Sequence, residues 1–217
     1  MAKELTRGLF IALEGPEGCG KSTISKRITD ELAGSGYKAL RTAEPGDTAL
    51  GEKIRQILLE KTDIQAVPLA ELFLFEADRA QHIAEVIRPA LNRKTIVICD
   101  RFNAATFAYQ GYGLGMDLDT LRMIDDVSVG KTRPDLTIIL DVDVEKGLSR
   151  AGRGGQADKM EARSREYHER VRKGYIDMAR EDPGKFCIVD SNGDIESAYS
   201  GVKEKIYGFI EKYIRTG

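Results

Sequence analysis

GPEGCGKS, residues Gly15 to Ser22, has glycine at its first and sixth positions and closes on Lys21 and Ser22. This is the spacing G-x-x-x-x-G-K-[ST] of a loop that wraps phosphate. Glycines let the backbone turn so that successive N–H groups point inward at phosphate oxygens. A helix opening directly after the loop adds the partial positive charge of its N-terminus. Lys21 offers a point charge to the β- and γ-phosphates, and the Ser22 hydroxyl is placed to ligate Mg²⁺. The flanks fit, with an apolar run LFIAL before the loop and a helical KSTISKRITDEL from its end. Gly15, Pro16, Glu17, Gly18, Cys19, Gly20, Lys21, Ser22 and Thr23 are therefore the candidate ATP-binding residues.

Outward from the loop, short apolar runs alternate with longer helical patterns. Strands are expected at Leu9–Leu13, Ala39–Thr42, Thr95–Cys99, Leu136–Leu140 and Phe186–Val189. They are almost continuously apolar, as strands covered on both faces of a parallel sheet are. Helices are expected at Lys21–Ala33, Leu50–Glu60, Leu69–Leu91, Leu118–Val129, Val144–Arg150, Glu161–Arg180 and Ile195–Ile214. This alternation predicts an α/β P-loop NTPase fold: a five-stranded parallel sheet with helices on both faces. Residues 1–217 read as one domain, with a glycine-rich polar segment at about 151–160 (AGRGGQADK over Ala151–Lys159) as a surface loop or a closing lid.

The bulk numbers narrow the function. The 217 residues are 41% hydrophobic and 31% charged with a formal net charge of -2, so no global basic field attracts nucleic acid. No apolar stretch reaches the length of a membrane span. The apolar run near the N-terminus ends in Glu14 and the glycine loop, so it reads as a first strand rather than a signal peptide. Cys19, Cys99 and Cys187 are far apart and form no CxxC pair. Buried thiols at Cys99 and Cys187 and a reducing, cytoplasmic location follow as expectations. His82 and His168 are too isolated for a zinc site.

A phosphate loop serves kinases, GTPases and motors alike. No N-K-x-D motif reads a guanine base here, and the third strand ends in ICDRF rather than in Asp-Glu. Asp100 is placed to hold Mg²⁺, and Arg101 to clamp an anionic acceptor at the phosphate-binding edge of the sheet. A small-molecule kinase fits best.

Several stretches, in order, extend this reading: GPEGCGKS, EPGDT (Glu44–Thr48), GEKIRQILL (Gly51–Leu59), LFEADRAQH ending at His82, VIRPAL, ICDRF, TFAYQG (Thr106–Gly111), RPDLTIILDV and DKMEARSREYHERVRKGY. Together the chain resembles the thymidylate kinases over nearly its whole length. The resemblance implies ATP-dependent phosphorylation of dTMP to dTDP with Mg²⁺, and a homodimer with neither nucleic-acid nor membrane partners. It also implies residue roles. Glu17 lies near the sugar 3′-hydroxyl of dTMP, and Arg55 and Arg101 hold the acceptor phosphate, for which a planar guanidinium suits better than lysine. Phe75 stacks on thymine, Arg79 bonds its O4, Thr106 and Gln110 complete the base edge, and Tyr109 fills the space of a ribose 2′-hydroxyl. Read without the resemblance, Phe75 and Arg79 share a helix face four apart, as a core phenylalanine and a solvated neighbour do. Glu76 and Asp78 read as surface charges or arginine partners, and Tyr109 and Tyr112 as loop packing. The alternatives left open are another nucleoside or nucleotide kinase of broader acceptor range, and a nucleotide-binding module without turnover.

Two positions depart from the family pattern R-E-P-G-G-T, with Ala43 in place of the arginine and Asp47 in place of the second glycine. The phosphate loop carries Gly18, where some relatives have a basic residue, so the resemblance is to the bacterial arrangement in which the lid supplies an arginine. Arg153, between glycines, is the first choice for that catalytic role, with Arg150 just before it. Arg153→Ala is expected to lower kcat by roughly 10²-fold with a smaller change in the dTMP KM. Steady-state kinetics check this, and normal kcat in Arg153→Ala, Arg150→Ala and the double variant would remove the lid-arginine mechanism.

Overall fold

The structure is a computed structural model and describes residues 3–59, 66–152 and 159–214. Five strands, β1 (Leu9–Glu14), β2 (Ala39–Ala43), β3 (Ile96–Asp100), β4 (Leu136–Asp141) and β5 (Phe186–Asp190), form one parallel sheet in the order β2-β3-β1-β4-β5. Strand β1 lies at its centre and is buried throughout. Its alternate side chains feed two cores. Leu9, Ile11 and Leu13 pack with Ile24, Ile28 and Leu32 of α1 (Lys21–Gly34) and Val202, Ile206 and Ile210 of α9 (Ile195–Ile210). Phe10 and Ala12 pack on the other face with Ile83, Ile87, Ala90 and Val129. The outer strands β2 and β5 are only partly covered, and Cys187 on β5 is half-buried where a buried thiol was expected, while Cys99 on β3 is buried as expected.

Register decides where the strands stop. Leu13 lies opposite Asp100, and Asp100 opposite Ala43. The ladder runs one step further, through Arg101 N to Leu13 O at 2.9 Å and Glu44 N to Asp100 O at 3.0 Å. The residues that follow β1, β2 and β3 therefore emerge together at one edge, the place where open α/β sheets bind ligands.

The remaining helices are α2 (Ala49–Leu59), α3 (Pro68–His82), α4 (Arg88–Asn92), α5 (Asn103–Thr106), α6 (Leu118–Val129), α7 (Val144–Ala151) and α8 (Arg165–Glu181). Three differences from the sequence reading have identifiable physical causes. The expected helix Leu69–Leu91 is interrupted by a π-helical turn, Ile83–Ile87, just before Pro89, which has no N–H to continue the ordinary bonding pattern. The helix expected from Glu161 starts at Arg165, because the Ser164 side chain caps it by accepting from Tyr167 N. Phe107–Gly113, read as a loop, is a π-helical turn that continues α5. Its two glycines are packing devices rather than breakers: a Cβ on Gly113 would lie 2.5 Å from the Tyr167 ring of α8, and one on Gly111 would lie 2.6 Å from the Leu118 side chain of α6.

One more close approach matters for the site. A Cβ on Gly18, whose φ is +66°, would lie 2.0 Å from Gly147 O, and a Cβ on Gly147 would lie 2.4 Å from Glu17 O. Helix α7 and the phosphate loop thus meet backbone to backbone.

Candidate active site

The edge where β1, β2 and β3 end opens into a cleft of about 730 Å³. At one end lies the phosphate loop. Gly20 adopts a left-handed conformation as the N-cap of α1, which aims that helix's first N–H groups into the cleft. Lys21 Nζ donates to Gly15 O and Pro16 O, both at 2.9 Å, so the loop holds its own cation in place. Ser22 Oγ donates to Asp100 Oδ2 at 2.5 Å, which brings two hard oxygens from α1 and β3 together. Gly18, Gly20, Lys21, Ser22, Thr23 and Asp100 line the cleft, whereas Cys19 is buried within the loop.

In the middle stands a connected triad. Arg101 has φ +69°, a strained conformation for a side chain of this size, and it follows directly on β3. Its Nη2 contacts both Glu17 oxygens at 2.9 and 2.8 Å, and Nη1 donates to Gly15 O at 3.1 Å. Tyr109 OH donates to Glu17 Oε1 at 2.6 Å, and the Tyr109 ring lies 4.9 Å from the Arg101 guanidinium. Burial alone would raise the Glu17 carboxyl, but Arg101, Lys21 and the Tyr109 hydroxyl together hold it below its ordinary range. Burial pushes the Tyr109 phenol well up, so it stays a neutral donor.

The far end reverses the simple helical reading of α3. Arg79, not Phe75, is the buried member of the pair, at 2% exposure, and Phe75 is half-buried at the cleft wall. The Arg79 guanidinium donates through Nε to Glu44 at 2.9 Å, through Nη1 to Glu76 at 2.5 Å and Thr106 at 2.9 Å, and through Nη2 to Phe102 O at 3.2 Å. Of five N–H groups, these four bonds leave one on Nη2. Glu76 and Asp78 are buried rather than surface charges. Thr106 Oγ1 donates to Glu76, and Gln110 Nε2 donates to Glu71 at 3.0 Å. Arg55, exposed on α2, reaches the cleft with Nη1 on Pro45 O at 2.7 Å.

The structure therefore brings Glu17, Arg55, Phe75, Arg79, Arg101, Thr106, Tyr109 and Gln110 to one cleft with the loop. Arg153 lies outside the described residues. Arg150 lines the cleft but is engaged by Ser191 O at 2.7 Å, Asn192 O at 3.3 Å and Gly193 O at 2.7 Å. The segment after β5 was not singled out from sequence, although Ser191 Oγ also donates to Cys19 O at 2.7 Å. Nothing in its polar composition distinguishes it from an ordinary turn. Arg41 was missed too. It lies two residues before Ala43, on the same face of β2, donates to Ser25 Oγ at 2.9 Å and approaches Asp100 at 3.7 Å. A guanidinium thus reaches the cleft from β2 despite Ala43. Asp47 has φ +59°, a conformation aspartate tolerates, and its carboxylate accepts from Thr42 Oγ1 and Ala43 N. Glu71 was also passed over, yet it stands four residues before Phe75 and eight before Arg79 on one helical face.

Comparison with known proteins finds similarity over most of the chain. The sequence pattern of the family "Thymidylate kinase" matches residues 13–202. The chain is 45% identical over 193 residues to a thymidylate kinase of Syntrophotalea carbinolica, covering 86% of this chain and 89% of that one. It is 42% identical over 208 residues to a thymidylate kinase of Geotalea daltonii, covering 93% and 97%. A solved thymidylate kinase from Ehrlichia chaffeensis superposes with a TM-score of 0.77 at 31% identity, covering 92% and 99%.

The buried charges carry a pH dependence. Burial and the Glu44 carboxylate push Asp78 up to about 7, against a backbone hydrogen bond from Gly46 and the attraction of His82 and Arg79. Its Oδ1 accepts from Gly46 N at 3.1 Å, and among the described residues Oδ2 has no hydrogen-bond partner. A carboxyl with a raised folded pKa binds its proton more tightly in the native state. Its contribution is complete below the unfolded value near 4 and is lost as pH rises toward 7. Asp78→Asn keeps the neutral form at every pH. Relative to the parent, its thermal midpoint is expected to rise between pH 5 and pH 8 by about 3–8 °C. A difference that stays constant across a pH series of melting curves would refute this assignment.

Proposed function

As a member of the thymidylate kinase family, this chain transfers the γ-phosphoryl group of ATP to dTMP, and we propose that the residues of its cleft divide that work between donor, acceptor and base. The observation that carries this reading is the single cleft, with the phosphate loop at one end, the Arg79 pocket at the other and the Glu17–Arg101–Tyr109 triad between them.

At the donor end, the loop N–H groups and Lys21 hold the β- and γ-phosphates. The converging oxygens of Ser22 and Asp100 suit Mg²⁺, which takes few protein ligands and completes its shell with phosphate and water. Bound there, the ion would neutralise charge on the phosphates. At the acceptor end, Arg55 and Arg101 fix the dTMP phosphate, Glu17 meets the sugar 3′-hydroxyl, and Tyr109 occupies the place of a 2′-hydroxyl. Phe75 stacks on the base, while Arg79, Thr106 and Gln110 read its edge. A dTMP phosphate oxygen then bonds to the γ-phosphorus as the bond to the β,γ-bridging oxygen breaks, and ADP leaves with that electron pair. No side-chain nucleophile takes part; alignment and countercharge do the work. The three carbonyls bound by Arg150 favour Arg153 as the lid cation.

Two further parts of the reading concern the protein as a whole. Its three cysteines are free thiols, which suits a reducing cytoplasm. Helix α3 packs against both α2 and α6, and the three expose apolar pairs at helical spacing: Leu50 and Ile57, Leu69 and Phe73, Met123 and Val127. Val127 is 87% exposed and Met123 64% exposed, and a second copy of the chain is the proposed cover.

ADP release measured across dTMP, dUMP, dGMP, the ribonucleotide of thymine and thymidine tests the acceptor assignment. dTMP is expected to be the best substrate and the ribonucleotide poor, with Tyr109→Ala relaxing that exclusion by roughly tenfold or more. Preference for a purine monophosphate would overturn it. Sedimentation should give twice the mass of the 217-residue chain, and Val127→Glu should yield a monomer. A parent that sediments as a monomer refutes the dimer.

A further inference from the structure

Gln110 offers the cleft only one end of its amide. Its Nε2 donates to Glu71 Oε1 at 3.0 Å, and a carboxylate can only accept. The nitrogen must therefore face Glu71, which leaves the carbonyl oxygen for the cleft that Gln110 lines. The second oxygen of Glu71 accepts from Arg163 Nη2 at 2.8 Å. The Arg163 guanidinium also stacks 4.9 Å from the Tyr167 ring, just beyond the lid segment. Glu71 itself is buried, at 7% exposure. It is thus clamped on one oxygen by the residue leading out of the lid and bonded on the other to an amide in the acceptor pocket.

The neighbouring Arg79 has donors only. A donor from Arg79 beside an acceptor from Gln110 complements a carbonyl next to an N–H, which is the pattern of C4=O and N3–H in thymine. Cytosine presents the inverse at these positions, an amino group beside a bare ring nitrogen. If the Gln110 amide were free to turn, its NH₂ could instead donate to that nitrogen.

We infer that Glu71 is a specificity-determining positioning residue, which fixes the Gln110 amide with its carbonyl toward the base and so makes the pocket select an N3–H donor over cytosine. Arg163 holds the same carboxylate from the lid side, so the base-reading amide and the end of the lid share one anchor. This inference rests on the proposed role of Gln110 as a base contact.

The test measures kcat and KM for dTMP and dCMP in the parent, Glu71→Gln, Glu71→Asp and the swapped pair Glu71→Gln/Gln110→Glu, with melting curves for each. In Glu71→Gln the amide oxygen stays with Arg163, which can only donate, so the new NH₂ faces Gln110 and turns the Gln110 nitrogen toward the cleft. The dTMP-to-dCMP ratio of kcat/KM is expected to fall roughly tenfold, the size of one hydrogen bond, and chiefly through KM. Glu71→Asp keeps an acceptor-only group and is expected to keep the ratio. In the swapped pair a carboxylate again presents only an acceptor to the base, so the ratio is expected to return. An unchanged ratio in folded Glu71→Gln, or an equal fall for both nucleotides as lost packing would give, overturns the inference. If Glu71→Gln does not fold, the swapped pair decides: selectivity retained supports the inference and selectivity lost refutes it. A parent that uses dCMP as well as dTMP would instead remove the base-reading assignment of Gln110.

Discussion

An arginine cannot shed its charge, so burying Arg79 obliges the chain to surround it with acceptors. At 2% exposure, its guanidinium draws in Glu44 from the end of β2, Glu76 from its own helix, Thr106 from α5 and the Phe102 carbonyl just beyond β3. Glu44 is shared with His82 through Nδ1 at 2.9 Å, and Glu76 with Ser128 of α6. One cation therefore joins helix α3 to the chain beyond β2, the chain beyond β3 and α5, which the strand register brings to the same edge. The acceptor pocket is what this pairing leaves open. Removing the cation would strand Glu44 and Glu76 in a dry interior, where an unpaired charge is strongly destabilising.

The centre of the cleft repeats the principle with a different outcome. Arg101, Glu17 and Tyr109 are paired among themselves, but they lie where the strand ends open and not beneath them. Their charges hold one another in fixed orientation, and in the proposed reaction little reorganisation would be needed as charge moves between phosphates. The left-handed conformation of Arg101 is the local strain this placement requires.

Two contacts couple the phosphate loop to α7 and to the segment that follows β5. Gly18 and Gly147 let α7 press on the loop backbone, and Ser191 reaches across from the end of β5 to Cys19 O. Arg150 and Lys146 of α7 bind the carbonyls of that same segment. Side chains at Gly18 or Gly147 would meet backbone, which cannot yield as a flexible side chain does. The glycine at position 18 is thus demanded by packing as well as by its φ of +66°.

Much of this was legible in the sequence because it is encoded locally. Apolar runs of strand length, helical periodicity and the spacing of GPEGCGKS need only neighbouring residues to be read. They determined the parallel sheet, its helices and the phosphate loop at the end of β1. The resemblance to thymidylate kinases marked Phe75, Arg79, Thr106 and Gln110, and the structure gathers them in one cleft. Periodicity alone misjudged burial on α3, since a 3.6-residue repeat reports which residues share a face but not what that face meets. Arg79 is buried because Glu44, 35 residues away, lies across from it. The Ser191–Gly193 carbonyls carry no local signature, and although spacing puts Arg41 on the strand face of Ala43 and Glu71 on the helix face of Phe75 and Arg79, the roles of all three depend on partners brought near by the strand register and helix packing. The helical turn at Phe107–Gly113 was hidden for the same reason: glycine favours a break in an isolated chain, and only the faces of α6 and α8 give its two glycines something to pack against.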